Sequence, residues 1–263
     1  MTDEQGLTGK KNSDSVQAKA EYKSDDLQHL SDLEHVRERP SMYIGDTTGR
    51  GLHHLVYEVV DNSIDEAMAG FATTIAVTIN SDGSVTVEDD GRGIPVDRHE
   101  QLSEELGRDV SSLEGVMTVL KFGGKFEKGA YQTSGGLHGV GVTVVNFLSE
   151  WCEVEVCRDG HVYQQEYERG IPHSALTRLG TTDKFGTKTT FKPDSQIFQT
   201  TKFNFDTLHK RLMELAFLNR GIRVVYRDER KGEGDEFYFE RGIIEFVEIL
   251  KLDIRINFHN SLC

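Results

Sequence analysis

Two carboxylates and an amide are spaced at helical intervals in the segment EVVDNSIDEA, which begins at Glu58. Glu58, Asn62 and Asp65 stand at positions i, i+4 and i+7, so a helix here would place them on one stripe. Carboxylate and amide oxygens can bind a hard metal ion, and a carboxylate can polarise water. Taken alone, such a stripe is more often a solvated helix face than a site.

A further carboxylate, Asp89, stands at the end of a predicted strand. Val85 and Val87 alternate with polar residues, and Asp89 continues their phase, so its side chain should point to the same inner face of a sheet. A carboxylate there needs a basic side chain, backbone N–H groups or a ligand donor such as an amino group. The following residues, DDGRGIP, are rich in turn formers, so Asp89 could instead belong to a strand-end turn.

Seven glycines lie between positions 123 and 141, and an apolar helical pattern follows them at 140–148. Glycines at a helix entrance bring free backbone N–H groups close to a ligand, and the helix dipole favours anions there. Lys125 can add a positive charge. A merely flexible surface loop would leave the clustering of glycines before a helix unexplained, so the segment predicts a phosphate-cradling lid.

The common nucleotide-binding fingerprints are absent from the sequence. A P-loop requires G-x-x-x-x-G-K-[ST], but Gly124 and Lys125 are followed by Phe126. The dinucleotide fingerprint G-x-G-x-x-G is missing too, because the glycines at 136, 139 and 141 have the reverse spacing. Both common nucleotide-binding folds are therefore poor fits.

Hydrophobic periodicity indicates the elements that must hold these residues. Apolar residues at Leu52, Leu55 and Val56 lie opposite the stripe, which predicts a helix with a core face. A GDTTGRG loop at 45–51 should lead into this helix, and Gly70 should end it. Hairpins interrupted by a few helices predict an α+β fold, with helices on one face of a mostly antiparallel or mixed sheet. The other predicted elements are a capped helix from Ser31 to Arg39, helices at 140–148 and 205–218 with the latter closed by Gly221, hairpins around 81–83 and 159–160, and strands at 186–191 and 222–226.

Composition bounds the class of protein. The 263 residues suffice for one large domain with tails, and 44 acidic against 30 basic residues give a net charge of −14. This charge argues against binding of a nucleic-acid backbone by bulk electrostatics. No apolar run approaches the ~20 residues that span a bilayer, and the N-terminus lacks a signal-peptide pattern, so we expect a cytoplasmic protein without membrane association. The three cysteines indicate neither a disulfide framework nor a zinc site.

The motifs together resemble a known family. EVVDNSIDEA, DDGRGIP, GGKF, SGGLHGVGVTVVN and Gly186–Thr187, in this order, are similar to the ATP-binding motifs of the GHKL superfamily, which includes type II topoisomerase ATPases, Hsp90, MutL and histidine kinases. Within it, RPSMYIGD at 39–46 and LHHLVYEVVDNSIDEA resemble the B subunits of bacterial gyrase and topoisomerase IV. The resemblance runs from about Tyr22 to Leu252.

The resemblance implies a fold and a division of the chain. The fold would be a two-layer α+β sandwich of the Bergerat type, with a mixed, mostly antiparallel sheet and helices on one face. We expect a flexible N-terminal arm at 1–25 and the ATPase domain at 26–252. A tail at 253–263, DIRINFHNSLC, does not resemble the family, and we expect a chain truncated before the second ATPase subdomain. The segment 96–113 is longer and more charged than the resemblance leads us to expect, and no role is assigned to it.

The resemblance also implies chemical roles, with ATP and Mg²⁺ as cofactors. Glu58 would be the general base that polarises the attacking water, and His54 would orient it. Asn62 would be the Mg²⁺ ligand. Asp89 would accept a hydrogen bond from the adenine amino group, with the hydroxyl of Thr187 beside it.

Other residues would complete the nucleotide site by the same resemblance. Arg92 would lie beside the adenine pocket and could pair with Glu66. Tyr131 would lie near the sugar and base, and Tyr22 would reach into the ATP site of the partner protomer. The remaining nucleotide-binding residues implied are Gly93, Ile94, Pro95, Lys125, Gly135, Gly136, Leu137, His138, Gly139, Val140 and Gly141.

The function implied is the ATPase part of a gyrase-type B subunit. ATP-driven homodimerisation would power DNA strand passage and negative supercoiling, with a gyrase A-type subunit in an A2B2 heterotetramer and with DNA bound through regions beyond this sequence. One alternative is a topoisomerase IV B subunit. Another is a nucleotide-gated dimerisation clamp without turnover, because the lysine that contacts the γ-phosphate in relatives comes from the second subdomain.

Overall fold

The computed structural model describes residues 30–122, 141–248 and 251. The chain divides into two units, Met1–Leu30 and Ser31–Cys263. Of the first unit only Leu30 is described, so the fold below is that of the second. The predicted arm at 1–25, most of the glycine-rich segment and the tail at 253–263 lie outside the described residues.

A nine-stranded mixed sheet forms one layer of the fold. Its strands are β1 (Thr74–Ile79), β2 (Val85–Asp89), β3 (Ser149–Arg158), β4 (His161–Glu168), β5 (Ile171–Pro172), β6 (Thr177–Thr181), β7 (Gly186–Pro193), β8 (Arg223–Asp228) and β9 (Glu233–Tyr238). The strand order is β5-β4-β3-β7-β2-β1-β8-β9, and β6 also pairs with β4. All pairs are antiparallel except β1 with β8, which confirms the predicted sheet type.

Helices cover one face of this sheet. They are α1 (Asp32–Glu38), α2 (Ser41–Ile44), α3 (Gly49–Met68), α4 (Glu100–Leu106), α5 (Ser112–Thr118), α6 (Gly141–Phe147) and α7 (Phe205–Leu218), and residues 243–248 are also helical. Helix α3 packs on β1 and β2, α6 on β3 and β7, and α7 on β8 and β9. Val77 and Val87 are buried beneath the helices, whereas Thr78 and Thr86 on the other face are partly exposed. The predicted two-layer α+β fold is therefore confirmed.

The entry to α3 differs from the predicted loop. The helix begins at Gly49 with Thr48 as its N-cap, so Gly49 and Gly51 lie inside the helix. The Asp46 carboxylate accepts hydrogen bonds from the backbone and hydroxyl of Thr48 and from Gly51 N–H, and these hydrogen bonds, that of the Thr48 side chain foremost, lower the pKa of Asp46. A Cβ atom at Gly51 would lie only 1.7 Å from the carbonyl oxygen of Asp46. The glycine is needed for this close approach rather than for a long loop.

The predicted ends of both long helices are confirmed. Gly70 follows the C-cap of α3 with a φ of +84°, as a glycine after a helix C-terminus does. Helix α7 has the predicted bounds, Phe205–Leu218, with Asn219 as its C-cap, and Gly221, with a φ of +80°, follows two residues later. The capped helix α1 and the two predicted hairpins are present.

Two histidines in α3 have different environments, and His53 is the buried one. Its Nδ1 contacts the carbonyl oxygen of Gly49, and its Nε2 lies 2.9 Å from the backbone nitrogen of Asn204, the N-cap of α7. A carbonyl oxygen only accepts and a backbone N–H only donates. His53 must therefore be neutral, with its proton on Nδ1, and it links the start of α3 to the start of α7.

This arrangement predicts the tautomer of His53. Two-bond ¹H–¹⁵N NMR spectra at neutral pH should show a protonated Nδ1 and an unprotonated Nε2, because only that form makes both contacts. A ring protonated on Nε2 alone, or on both nitrogens, would contradict the assignment.

Candidate functional site

Helix α3 carries the first part of the candidate site on its half-exposed stripe. The apolar residues Leu52, Leu55 and Val56 are buried, whereas His54, Glu58 and Asn62, each one turn apart, remain partly open. The predicted core face and polar stripe are thus both present. Asp65 continues the stripe in sequence but is almost fully buried, so it does not share the open surface.

His54 and Glu58 form an ion pair on this stripe. His54 Nε2 lies 3.0 Å from Glu58 Oε1. The hydrogen bond that His54 donates to the Glu58 carboxylate raises the pKa of His54 above its usual value, although partial burial opposes the shift. Because the folded chain favours the charged imidazole, the pair stabilises the fold at low pH and loses its contribution as pH rises through the pKa of His54. The contact also fixes the rotamer of the Glu58 carboxylate.

The second oxygen of Glu58 faces the start of α6. A Cβ atom at Gly141 would lie 2.2 Å from Glu58 Oε2, well inside any normal contact. Gly141, the last glycine of the predicted phosphate segment and a described one, lets α6 approach the Glu58 carboxylate without displacing it. The structure brings these two predicted site residues together.

Asp89 is buried as the strand phase predicted, with 9% of its surface exposed. Ser63 Oγ donates to its Oδ2 at 2.8 Å, and Oδ1 accepts from the backbone N–H groups of Gly91 at 3.0 Å and Thr187 at 3.4 Å. Burial nevertheless raises the pKa of Asp89, because the three donors only partly replace water. The predicted inward carboxylate is confirmed, and Asp89 also opens the strand-end turn, since its Oδ1 accepts from the Gly91 N–H two residues on.

Thr187 places a hydroxyl beside this carboxylate. Its Oγ1 accepts a hydrogen bond from Ile94 N–H at 3.2 Å, which leaves the hydroxyl proton available for donation. The neighbouring Gly186 has a φ of +131°, and a Cβ atom there would lie 1.8 Å from the carbonyl oxygen of Asp89. Only glycine allows β7 to approach β2 so closely at this point. The result is an acceptor and a donor side by side.

The segment DDGRGIP forms one side of the same region. Arg92 donates to Glu66 through both Nε and Nη2, at 3.0 and 2.8 Å, which confirms the predicted pair. Its guanidinium also lies 3.8 Å from the ring centroid of Phe71. Gly93 has a φ of +75°, and its carbonyl accepts from Arg158 Nη1 at 2.8 Å. These contacts hold Arg92, Gly93 and the following Ile94 and Pro95 beside Thr187.

Sequence reasoning missed three residues here: Ser63, Phe71 and Arg158. Ser63 could have been found, because it falls on the buried side of the helix with Val59 and Ile64, where a hydroxyl needs a partner. Arg158 is 65 positions from Gly93 and carried no local signal.

Several predicted site residues lie outside the described part of the chain. They are Tyr22, Lys125, Tyr131, Gly135, Gly136, Leu137, His138, Gly139 and Val140.

Over residues 30–122, 141–248 and 251, no group of three or more His, Cys, Asp and Glu side chains could hold a metal ion. Cys152 and Cys157 are free thiols. Among those same residues, no helix is long and apolar enough to cross a membrane.

Residues 47–197 match the family described as histidine kinase-, DNA gyrase B- and HSP90-like ATPases. The chain belongs to this family. It is 56% identical to the DNA gyrase B subunit of Thermotoga maritima over 87% of the chain and 35% of that relative, and 51% identical to that of Clostridium acetobutylicum over 92% and 37%. The DNA topoisomerase 4 B subunit of Staphylococcus epidermidis is 54% identical over 86% of the chain and 34% of that relative.

A solved structure agrees with the family assignment. The 43K ATPase domain of Thermus thermophilus gyrase B, in complex with an aminocoumarin, superposes with a TM-score of 0.73 at 40% identity, over 83% of this chain and 54% of that one. The resemblance to GHKL ATPases of the gyrase B type is therefore confirmed. The chain spans about a third of the length of the curated relatives it matches.

The His54–Glu58 contact predicts a measurable pKa change. In the ATPase chain, His54 should titrate above the usual histidine range, and Glu58→Gln should bring its pKa down because the charged partner is lost. An NMR titration of the His54 ring protons would measure both values. An unchanged pKa in Glu58→Gln would show that the ion pair is absent in solution.

The close approach of Gly141 to Glu58 predicts a packing defect. Gly141→Ala should lower the free energy of unfolding by about 1–3 kcal/mol, because the new methyl group overlaps the Glu58 carboxylate. Gly49→Ala is the matched control, since a Cβ atom there meets nothing within 4 Å. Equal urea midpoints for Gly141→Ala and Gly49→Ala would contradict the contact.

Proposed function

We propose that this chain is the ATP-binding and ATP-hydrolysing region of a gyrase-type B subunit. The observation that carries the proposal is the buried Asp89 carboxylate, held by three donors beside the Thr187 hydroxyl, in a family of ATPases. Burial of a carboxylate destabilises the folded state. A carboxylate at such a buried position therefore indicates a role in ligand recognition.

Adenine fits this acceptor and donor. Its amino group is a donor and the adjacent ring nitrogen is an acceptor, so Asp89 would accept from the amino group while Thr187 donates to the ring nitrogen. Guanine has a carbonyl oxygen in place of that amino group, and the oxygen would face the carboxylate without a shared proton. Arg92, Gly93, Ile94 and Pro95 would form the adjoining wall of the pocket.

Hydrolysis would take place at the other end of the stripe. Glu58 would accept a proton from the water that attacks the γ-phosphorus, and His54 would hold the carboxylate in position for that transfer. The oxygen Oε2, which faces Gly141, is the one left for water because Oε1 is engaged by His54. The bond between the γ-phosphorus and the bridging oxygen would break, and its electron pair would stay with ADP, which then leaves.

Mg²⁺ is compatible with the residues present. Asn62 supplies a hard amide oxygen on the half-exposed stripe of α3, one turn from Glu58. A single protein ligand suits Mg²⁺, which normally shares its coordination with phosphates and water. The described residues offer no all-protein metal cluster that would compete. When bound, the ion would neutralise phosphate charge during transfer.

The residues outside the described part would complete the site. Lys125 and the run from Gly135 to Gly141 would bind phosphates, Tyr131 would lie near the sugar and base, and Tyr22 would contact the nucleotide of a second copy. We accordingly propose an arm at 1–25, an ATPase domain at 26–252 and a divergent tail at 253–263.

The partners proposed are a second copy of the chain, a gyrase A-type subunit and DNA. About two thirds of the length of the gyrase B relatives lies outside the match to this chain, and those regions would supply the contacts to the A-type partner and to DNA. The net charge of −14 agrees with DNA contacts lying mainly elsewhere. Such a protein would work in the cytoplasm, where bacterial DNA lies.

A topoisomerase IV B subunit is the second candidate. The match to the Staphylococcus epidermidis protein of that kind, at 54% identity, is as strong as several of the gyrase matches. Both candidates share the nucleotide chemistry proposed above.

Two variants separate binding from hydrolysis, and the first is Glu58→Ala. The rate of phosphate release should fall by about a hundredfold or more, because the proton acceptor is lost. ATP binding should be retained, because the adenine contacts remain. Steady-state phosphate release and calorimetry measure the two properties. Glu104→Gln, on the exposed face of α4, is the control. Full turnover by Glu58→Ala would exclude the proposed base.

The second variant is Asp89→Asn. ATP affinity should fall by about tenfold or more, since a hydrogen bond to a charged acceptor is lost. The free energy of unfolding should not fall, because burial raises the pKa of Asp89 and its ionised form therefore destabilises the fold above that pKa. Asp90→Asn is the matched control, since Asp90 bonds only to Thr73 and Thr74 outside the pocket. Unchanged ATP affinity in Asp89→Asn would overturn the adenine assignment.

A further inference from the structure

A cavity of about 680 Å³ lies apart from the nucleotide residues, between the segment 96–114 and residues 171–176. Neither Glu58, Asn62, Asp89 nor Thr187 lines it. Its walls are apolar at Val96, Val110 and Leu176, among others, and its polar lining includes Arg98, Arg108 and Glu114. No role was predicted for the segment 96–113, which forms one wall of this cavity.

That wall is a fixed part of the fold. Arg98 and Ser111 form an isolated antiparallel bridge, and His99 N–H donates to the Val110 carbonyl at 2.8 Å. Leu102 of α4 and Val110 are buried, so the segment is anchored by one side chain in α4 and by another just before α5. The cavity is therefore bounded by packed residues rather than by a loose loop.

The floor of the cavity is a buried carboxylate. Only 8% of the Glu114 side chain is exposed. Its Oε1 accepts from the Arg108 guanidinium, and its Oε2 lies 3.3 Å from Gln165 Nε2. Behind it, Gln165 Oε1 and the Tyr167 hydroxyl are buried and have no hydrogen-bond partner within the described part of the chain. A charge in such surroundings must keep a cationic partner.

Arg108 is the cationic partner that the chain supplies to Glu114, and apart from this pair little holds its side chain in place. The Arg108 side chain is 53% exposed, and its remaining contact is one weak hydrogen bond to a carbonyl, at 3.4 Å. Returning this guanidinium to water would lose little, whereas Glu114 would be left buried and unpaired. Glu114 thus pairs with a guanidinium group, that of Arg108. Another guanidinium group can take the place of Arg108.

We propose that this cavity binds a guanidinium or amidinium group carried on a small apolar body, which displaces Arg108 from Glu114. The charged fork would pair with Glu114, and the body would lie against Val96, Val110 and Leu176. Asp109 also lines the cavity, and its exposed carboxylate pairs with Arg98.

Benzamidine and the matched variants Arg108→Ala and Arg98→Ala test the proposal. In Arg108→Ala, calorimetry should show benzamidine binding about tenfold tighter than in the wild-type chain, because the internal competitor is gone. Benzamidine should also raise the lowered Tm of this variant. Arg98→Ala should leave the affinity near the wild-type value, and benzamide, the uncharged analogue, should not bind either chain.

The source of the group is distinguished by a second probe, N-acetyl-arginine methylamide. Binding of this compound as well as benzamidine to Arg108→Ala indicates a site for an arginine side chain of a protein, and binding of benzamidine alone indicates a small flat ligand. The proposal is overturned if benzamidine binds Arg108→Ala no tighter than the wild-type chain, or if benzamide binds equally well.

Discussion

The candidate site depends on one carboxylate that stands where the fold expects an apolar side chain. Asp89 occupies an inward position of β2, in phase with two buried valines. Ser63 from α3, Gly91 from the following turn and Thr187 from β7 all donate to it. Because an uncompensated charge there would prevent folding, the helix, the turn and the strand must meet at this point, and they are the proposed walls of the adenine site.

Glycines allow these walls to approach each other. Gly186 lets β7 reach the backbone of Asp89, and Gly141 lets α6 reach the carboxylate of Glu58. Gly186 excludes even a methyl group because the carbonyl oxygen of Asp89 lies against it, whereas Gly141 faces the side-chain oxygen of Glu58. Helix α3 carries both Glu58 and Ser63, the partner of Asp89, about one and a half turns apart, so the proposed hydrolytic end and the proposed adenine end share one helix.

Local periodicity predicted the residues that face each other along one element, but not the contacts between distant elements. The stripe of α3 and the inward phase of Asp89 followed from repeats of 3.6 and two residues. The meeting of β2 with β7 joins residues 98 positions apart and could not be read from spacing. Strand β9 lacked any alternation because nearly all its residues are exposed, and the acidic 96–113 segment contains three core residues, Leu102, Val110 and Leu113, that its charge concealed.

The central claim is that Asp89 accepts a hydrogen bond from the amino group of adenine. Calorimetry of the wild-type chain with ATP and with purine riboside 5′-triphosphate, which lacks only that amino group, tests it most directly. The account predicts that ATP binds about tenfold to a hundredfold more tightly, as expected for one hydrogen bond to a buried charged acceptor. Equal affinity for the two nucleotides would contradict it.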